Sequence, residues 1–424
     1  MKNQYLPLYK LLCLFFLLMF VETSSLQATE NFRNFRFRQL STSDGLSTND
    51  IQQVYQDKEG YIWMATRNGL AKYNGYEMKI YKSNIYNWNL LGNNNISCIE
   101  EDTKHRIWIG TYDGLNVLDK VTGKIKQINK TEFSNNAISK ILVTRKGQIL
   151  LGTDQGLYQY IPERDSCVLF TRETTKDVMP QTSVKSLLED SKGNIWIGTW
   201  NEGLYRYDPE EGKYFAYPKM NERKSAHVVF EDSHHQIWVG TWEGGLFLLK
   251  NPYDMERVSW DVFRNEPAVE SSLADNTIYA LSEDRNTNSL WVGTRSGLSI
   301  LPYGTTSFVN YYPDESGHSI SGNEVTSMIC DQQGMMWLST LGGGVTAIIT
   351  RELNFALDHL ENIKKVFKTN SVRNILVDDE GLMWLSIGTY GLVVYNRQTG
   401  EWWNMRQLGF PDTGSTTYSV FSIM

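Results

Sequence analysis

The sequence predicts an all-β fold, a β-propeller of four-stranded blades, and three observations carry that prediction. One phrase recurs eight times along the 424 residues, each copy splits into strand-sized apolar runs separated by turn signals, and the composition suits short strands joined by glycine turns. The chain contains 33 Gly, 23 Tyr and 13 Trp but only 10 Pro, a mixture rich in strand-forming aromatics and in turn formers. With 41% hydrophobic residues it can bury a substantial core.

The phrase reads: an apolar pair, Asp, a turn with Gly, apolar-Trp-apolar-Gly-Thr, then Gly-Leu and an aromatic residue. Its clearest copy is VKSLLEDSKGNIWIGTWNEGLYRY, residues Val184 to Tyr207. Other copies centre on Trp63, Trp108, Leu150, Trp238, Trp291, Trp337 and Trp384, at spacings of 42 to 53 residues, and the start of a ninth is read at Tyr418 before the sequence stops at Met424. In the clearest copy, strands are expected at Val184 to Leu188, Ile195 to Thr199 and Leu204 to Tyr207, with a weaker fourth near Tyr214 to Tyr217. Four strands in roughly 40–50 residues is the arithmetic of a propeller blade. Helical solenoids are disfavoured because the apolar runs are short, β-branched and broken by glycine.

The recurring residues have structural work to do. Asp57, Asp102, Asp190, Asp232, Asp331 and Asp378 are expected to open tight turns by accepting backbone N–H groups, with Gly60, Gly147, Gly193, Gly334 and Gly381 supplying the positive φ. The repeated Trp lies on the second strand, where its ring can fill the wedge between neighbouring blades.

At the N-terminus, Lys2 and Lys10 precede the apolar run Leu11 to Val21 and the polar stretch ETSSLQATE, the layout of a secretory signal peptide with cleavage expected after Ala28. Eleven apolar residues fall short of the ~20 that span a bilayer, so an exported, periplasmic mature chain is expected, a short uncleaved anchor being the alternative. Cys98, Cys167 and Cys330 then remain, too few and too dispersed for a disulfide framework and without metal-site spacing. The formal net charge of −7 gives no basic field for nucleic acid, and none is expected as a partner.

The phrase D-x-x-G-x-I-W-I-G-T-x-x-G-L, repeated along an exported chain, resembles the two-component regulator propeller repeat. The opening FRQLSTSDGL, Phe37 to Leu46, also resembles the start of sensors carrying that repeat, and the likeness extends over about residues 35 to 424. It implies the periplasmic sensor region of a hybrid two-component system of polysaccharide-degrading gut bacteria: two seven-bladed propellers, a small β-sandwich, a membrane helix, then kinase, receiver and DNA-binding parts. This sequence covers only a first propeller and the start of a second, so it resembles a truncated sensor with no kinase residues of its own. The expected organisation is a signal peptide over 1–28, a seven-bladed propeller over 29–355 closed by Phe35 to Leu40 pairing with the last blade, and an incomplete second propeller over 356–424. A single eight-bladed ring is the alternative, against which the extended stretch Arg351 to Lys368 suggests a change of domain.

Within the repeat, the fourth residue after each central position falls in the turn between the second and third strands and varies while its surroundings do not. These residues are Arg67, Tyr112, Asp154, Trp200, Trp242, Arg295 and Leu341. A rigid frame presenting changeable contacts is the pattern of a binding surface. Aromatic faces stack on sugar rings, and Arg or Asp can bind hydroxyls, carboxylates or sulfates, so Arg67, Tyr112, Asp154, Trp200, Trp242 and Arg295 form the candidate ligand site, for an oligosaccharide or another small molecule. Read singly, each is better taken as a solvated turn residue, and only the set together reads as a site. Lys185, His227, Tyr279 and Arg373, near the starts of first strands, are candidates to extend the site toward the channel.

Enzyme readings find less support. The recurring Asp is a turn former and no singular carboxyl pair stands out for a glycosidase, although a secreted polysaccharide lyase or glycosidase is the alternative function. Compared with the Asp-box of sialidases, the Asp-to-Gly spacing is one residue longer. His234-His235 reads as a solvated turn without a third metal ligand, and Gly342 to Gly344 as a turn without a phosphate-binding Lys. No cofactor is expected, and a homodimer would form through C-terminal parts outside this sequence.

Overall fold

Strand-sized runs bounded by glycine turns become strands throughout. A computed structural model describes residues 35–350, apart from 85, 88, 129, 132–136, 171–180, 218–224 and 315–318, and residues 372–409, apart from 379, 388–390, 397–398 and 400. The expected signal peptide, the stretch Arg351 to Lys368 and the ninth copy at Tyr418 lie outside the described residues. The chain divides into two compact units, Met1–Arg351 and Glu352–Met424.

The first unit is a seven-bladed propeller. Its blades span 51–81, 96–128, 138–169, 184–217, 228–263, 278–311 and 325–349, each an antiparallel sheet in sequential order. Blade one shows the pattern: Ile51–Gln56, Ile62–Thr66, Gly69–Tyr73 and Met78–Tyr81. Blade three gains a short fifth strand, Lys130–Thr131, parallel to Ser166 and Cys167. Blade seven is completed from the other end of the unit, where Arg36–Leu40 pairs antiparallel with Val345 to Ile349, Leu40 opposite Val345. The innermost strands of the seven blades neighbour one another in a closed circuit, from the first round to the seventh and back. The sheet centred on Trp384 belongs to the second unit, which excludes the eight-bladed ring. That sheet has strands Val372–Val377, Leu382–Ile387, Gly391–Asn396 and Trp402–Asn404.

Second strands are buried from end to end because both of their faces are covered by adjacent blades. Each central Trp packs into the core shared with the following blade, Trp63 against Ile96, Ile99 and Ile107 and Trp196 against Ala226, Val229 and Ile237. Two residues after each central position a small residue receives the next blade's first strand. A Cβ on Gly152 would lie 2.9 Å from Val184 Cγ1, and one on Gly293 would lie 2.8 Å from Val325 Cγ1. In blades three and six the Gly of the phrase is therefore a socket for a β-branched side chain of the next blade.

The Asp turns form as the sequence predicts. Asp190 Oδ1 accepts the backbone N–H groups of Lys192 and Asn194, and Gly193 adopts φ 89°. A Glu placed just before the Asp joins neighbouring blades: Glu101 accepts the Lys58 N–H at 2.7 Å, and Glu283 accepts that of Ser233 at 2.9 Å. Gln56 does the same across the closure, accepting the Gln332 N–H at 2.8 Å. His234 packs on the Tyr303 ring, and His235 lies in the left-handed region at φ 59° with Nδ1 3.3 Å from Glu231.

Candidate functional site

The turn that carries the candidate residues is held by the Thr of Gly-Thr. Thr66 Oγ1 donates to the Gly69 carbonyl at 2.7 Å and accepts the Asn68 N–H at 3.0 Å, and Thr111, Thr153 and Thr294 repeat the clamp. Tyr112, Trp200, Arg295 and Leu341 each donate their backbone N–H to a carbonyl just ahead of their own blade's first strand. The side chain four residues after the Trp thus stands beside the start of the innermost strand.

That start carries a recurrent β-bulge. Register shifts by one residue between Ile51 and Gln53, Ile96 and Cys98, Ile138 and Lys140, Val184 and Ser186, Ile278 and Ala280, and Val325 and Ser327. The unpaired residues are Gln52, Ser97, Ser139, Lys185, Tyr279 and Thr326, with His227 at the corresponding place in blade five. A bulge re-aims a side chain, and all seven line one cavity of about 460 Å³ at the centre of this face. Arg373 occupies the bulge of the second unit's sheet, between Val372 and Asn374, and belongs to that unit.

Of the turn residues, Arg67, Tyr112, Asp154 and Leu341 also line the cavity. Trp200, Trp242 and Arg295 do not. The two indoles stand 5.2 Å apart, in contact with lining residues, Trp200 at 6.2 Å from the His227 ring and Trp242 at 6.0 Å from Tyr279. Arg295 turns to Asp275, its Nε 3.5 Å from the carboxylate. The site is therefore two rings, bulge residues inside and turn residues outside, with an aromatic sector in blades four to six. Lys185, His227 and Tyr279 belong to the inner ring; Gln52, Ser97, Ser139 and Thr326 were not anticipated. Their signal in the sequence is the position directly after the β-branched residue that opens each innermost strand.

The charges are arranged unevenly. Asp154 accepts from Ser183 Oγ at 2.6 Å and from Lys185 Nζ at 3.0 Å, and these two partners, the hydroxyl first, hold its carboxyl below the usual range. Lys185 also lies 5.8 Å from the Trp200 ring. Burial, assisted by Lys185, lowers the His227 pKa to about 4, and its buried Nδ1 has no hydrogen-bond partner among the described residues. Tyr279 is raised by burial and by Glu324. No group of three His, Cys, Asp or Glu that could hold a metal occurs among the described residues. Buried Cys98 has its thiol pKa pushed up to about 11, far from a reactive thiolate.

The two-component regulator propeller family matches residues 45–68, 90–113, 179–201, 272–296 and 319–342, each match ending at or just past one of the turns described above. A histidine kinase, P4, from Formosa agariphila is 28% identical over 370 residues, covering 74% of this chain and 26% of that protein. Among solved structures, two extracellular domains of Bacteroides thetaiotaomicron signalling systems are similar. One, described as from a hybrid two-component system, has a TM-score of 0.62 at 18% identity, covering 87% of this chain and 54% of that one. The other, described as from a one-component system, has a TM-score of 0.61 at 22% identity, covering 87% and 48%. The fold is shared more widely, since virginiamycin B lyase from Staphylococcus aureus aligns with a TM-score of 0.58 at 9% identity over 74% of this chain and 99% of the lyase. The chain spans about a quarter of the kinase and about half of each extracellular domain. Blades one, two, four, six and seven of this chain thus carry two-component regulator propeller repeats.

Proposed function

We propose that this chain is the extracytoplasmic, ligand-sensing propeller of a hybrid two-component sensor, and that it recognises an oligosaccharide at the two-ring cavity. The observation that carries the reading is the cavity itself: six bulged side chains and His227 converge on about 460 Å³ beside the Trp200–Trp242 pair. Polar groups around an aromatic wall are what a sugar needs, hydroxyls meeting Gln52, Ser97, Ser139 and Asp154 while a ring face stacks on indole. Export to the periplasm would bring the site to glycans outside the cytoplasm. In a complete sensor, ligand would favour one arrangement of a dimer over another by its difference in affinity for the two. Regulation of polysaccharide use would be the output.

The test is calorimetry of the mature chain against a panel of oligosaccharides, with product analysis of the same mixtures. Saturable heat with no new reducing ends or unsaturated sugars is expected, and Trp200→Ala with Trp242→Ala should weaken binding at least tenfold. Turnover of a panel member would replace this reading with that of a secreted lyase or glycosidase. Affinity unchanged within twofold in the double variant would remove the indole pair from the site.

A further inference from the structure

The residue that follows the bulge in an innermost strand ties that strand to the next blade. In blade one Gln53 takes both backbone groups of Ile99, its Nε2 donating to the carbonyl at 3.2 Å and its Oε1 accepting the N–H at 2.8 Å. In blade four Ser186 Oγ accepts the Val229 N–H at 3.0 Å, and in blade seven Ser327 Oγ accepts that of Val54 at 3.3 Å. Blade three carries Lys140 in this register, opposite Gly152 as Ser186 is opposite Gly198. An ammonium has donors only and cannot accept an N–H, so Lys140 does not serve as that tie. It is half-buried, lines the two-ring cavity, and no side-chain hydrogen bond or ion pair holds its ammonium among the described residues.

The charge of Lys140 is not neutralised from within. The cavity is lined by the cations Arg67, Lys140 and Lys185 and by the carboxylates Asp154 and Glu324, a positive balance in a chain of formal charge −7. Asp154 and Lys185 already serve each other at 3.0 Å, and Ser183 Oγ donates to the same carboxylate at 2.6 Å. Glu324 precedes the first strand of blade seven, three blades from Lys140 round the ring. Glu100 of blade two feels the Lys140 charge, but burial pushes its carboxyl up to about 7, so near neutrality it is only partly ionised. The hydroxyls around Lys140 offer little to an anion, because Ser97 donates to the Ile138 carbonyl and Ser139 to that of Val184 at 2.6 Å. On this part of the wall the donor left for a ligand is the ammonium.

Resting on the reading of this cavity as the sugar site, we propose that its oligosaccharide is acidic and that Lys140 receives a carboxylate or sulfate group of it. A cation without an acceptor is poorly placed in a half-buried cavity unless a ligand brings the acceptor. A charge-assisted hydrogen bond formed there is stronger than one in open water. Sugar rings meet the neighbouring indole pair, and the anionic group fixes which way the chain of sugars lies.

The test uses matched probes: trigalacturonate and a mannuronate trimer beside their methyl esters, and a κ-carrageenan tetrasaccharide beside its desulfated form, each titrated calorimetrically into the full chain. At least one acidic probe is expected to bind tenfold or more tightly than its neutral counterpart, and to lose affinity as NaCl rises from about 50 to about 500 mM. Whether the uronates or the sulfated sugar respond identifies the group. Lys140→Gln gives blade three the side chain that blade one carries in the same register, so it is expected to fold as the parent does and to reduce the acidic preference to threefold or less. Equal binding of acidic and neutral probes, or a tenfold preference kept by the folded variant, would overturn the proposal. Should the variant not fold, affinity of the parent that is independent of salt would overturn it instead. Binding of neutral probes alone removes this proposal and leaves the sugar site standing, whereas no binding of any probe removes both.

Discussion

Trp63 Nε1 donates to Asp57 Oδ2 at 2.8 Å across one hairpin, and the other oxygen of that carboxylate accepts the backbone N–H groups of Glu59 and Tyr61. One side chain thereby ties the turn to the ring that fills the wedge between blades. Asp and Trp are thus a single device. Blade six keeps the indole satisfied in another way, Trp291 Nε1 donating to Ser289 Oγ at 3.1 Å, and blade three has neither the Asp nor the Trp.

Asp190 shows how much rests on the device. It accepts from Trp196 Nε1 at 2.8 Å, from Tyr253 Oη at 2.9 Å and from the amides of Lys192 and Asn194, and it is fully buried. Asp190→Ala strands several buried donors at once and is expected to cost about 3 kcal/mol or more, each unsatisfied donor costing about 1–3 kcal/mol. Denaturant unfolding of parent and variant measures it, and a loss below 1 kcal/mol would contradict the structural role.

Gly240 tests the socket between blades five and six. A Cβ there would lie 2.5 Å from Ile278 Cγ2 and 2.6 Å from Val228 Cγ1, both β-branched side chains inside the sheet stack. Gly240→Ala should destabilise by ~1–3 kcal/mol through overpacking. Ile278→Ala, which removes the Cγ2 that the new Cβ meets, should cost less in the Gly240→Ala background than in the parent, a coupling that a double-mutant cycle reads directly.

The fold was legible because every blade repeats the same local instructions. A strand period, a Gly turn and a Trp with its Asp fix a four-stranded sheet without reference to the others, and Arg36–Leu40 was recognisable as a strand outside the phrase. The outer ring of the site was legible for the same reason: a fixed offset from Trp marks the turn at Arg67 or Tyr112. The inner ring was only partly so. Lys185, His227 and Tyr279 attract notice by their chemistry, whereas Gln52, Ser97, Ser139 and Thr326 are ordinary strand residues until the bulge aims them inward. Offset alone also cannot say that Arg295 turns to Asp275 while Arg67 lines the cavity. Those outcomes depend on neighbours from other parts of the chain.

Closure of the ring depends on Arg36–Leu40, whose five residues pair in unbroken register with the outer edge of blade seven. Deleting residues 1–40 exposes that edge and strips Phe35 and Phe37 from the core cluster around Trp291 and Ile348. An exposed strand edge is a template for association with other chains. The truncated chain is expected to elute as soluble aggregates in size-exclusion chromatography and to lose a single cooperative unfolding transition, whereas deletion of residues 1–28 should change neither. A monomeric, cooperatively folded deletion of 1–40 would show that the closure is dispensable.

His227 gives the inner ring a pH signature of defined sign. Burial, helped by Lys185, favours its neutral form in the folded chain and lowers its pKa to about 4, against about 6.5 in an unfolded one. Above pH 6.5 both states carry a neutral imidazole and His227 makes no contribution to the slope of stability. Between pH 6.5 and about 4 the unfolded chain binds the proton and the folded chain does not, so stability falls as the pH is lowered. His227→Phe keeps an aromatic ring near Trp200 and Trp242 and removes the titration, and it is expected to flatten the stability profile in that window while leaving it unchanged above pH 7. Parallel urea titrations at half-unit steps from pH 4 to 8 measure the difference. Equal slopes for parent and variant between pH 6.5 and 4 would mean that the imidazole is solvated, and with it that the cavity admits water to the base of the inner ring.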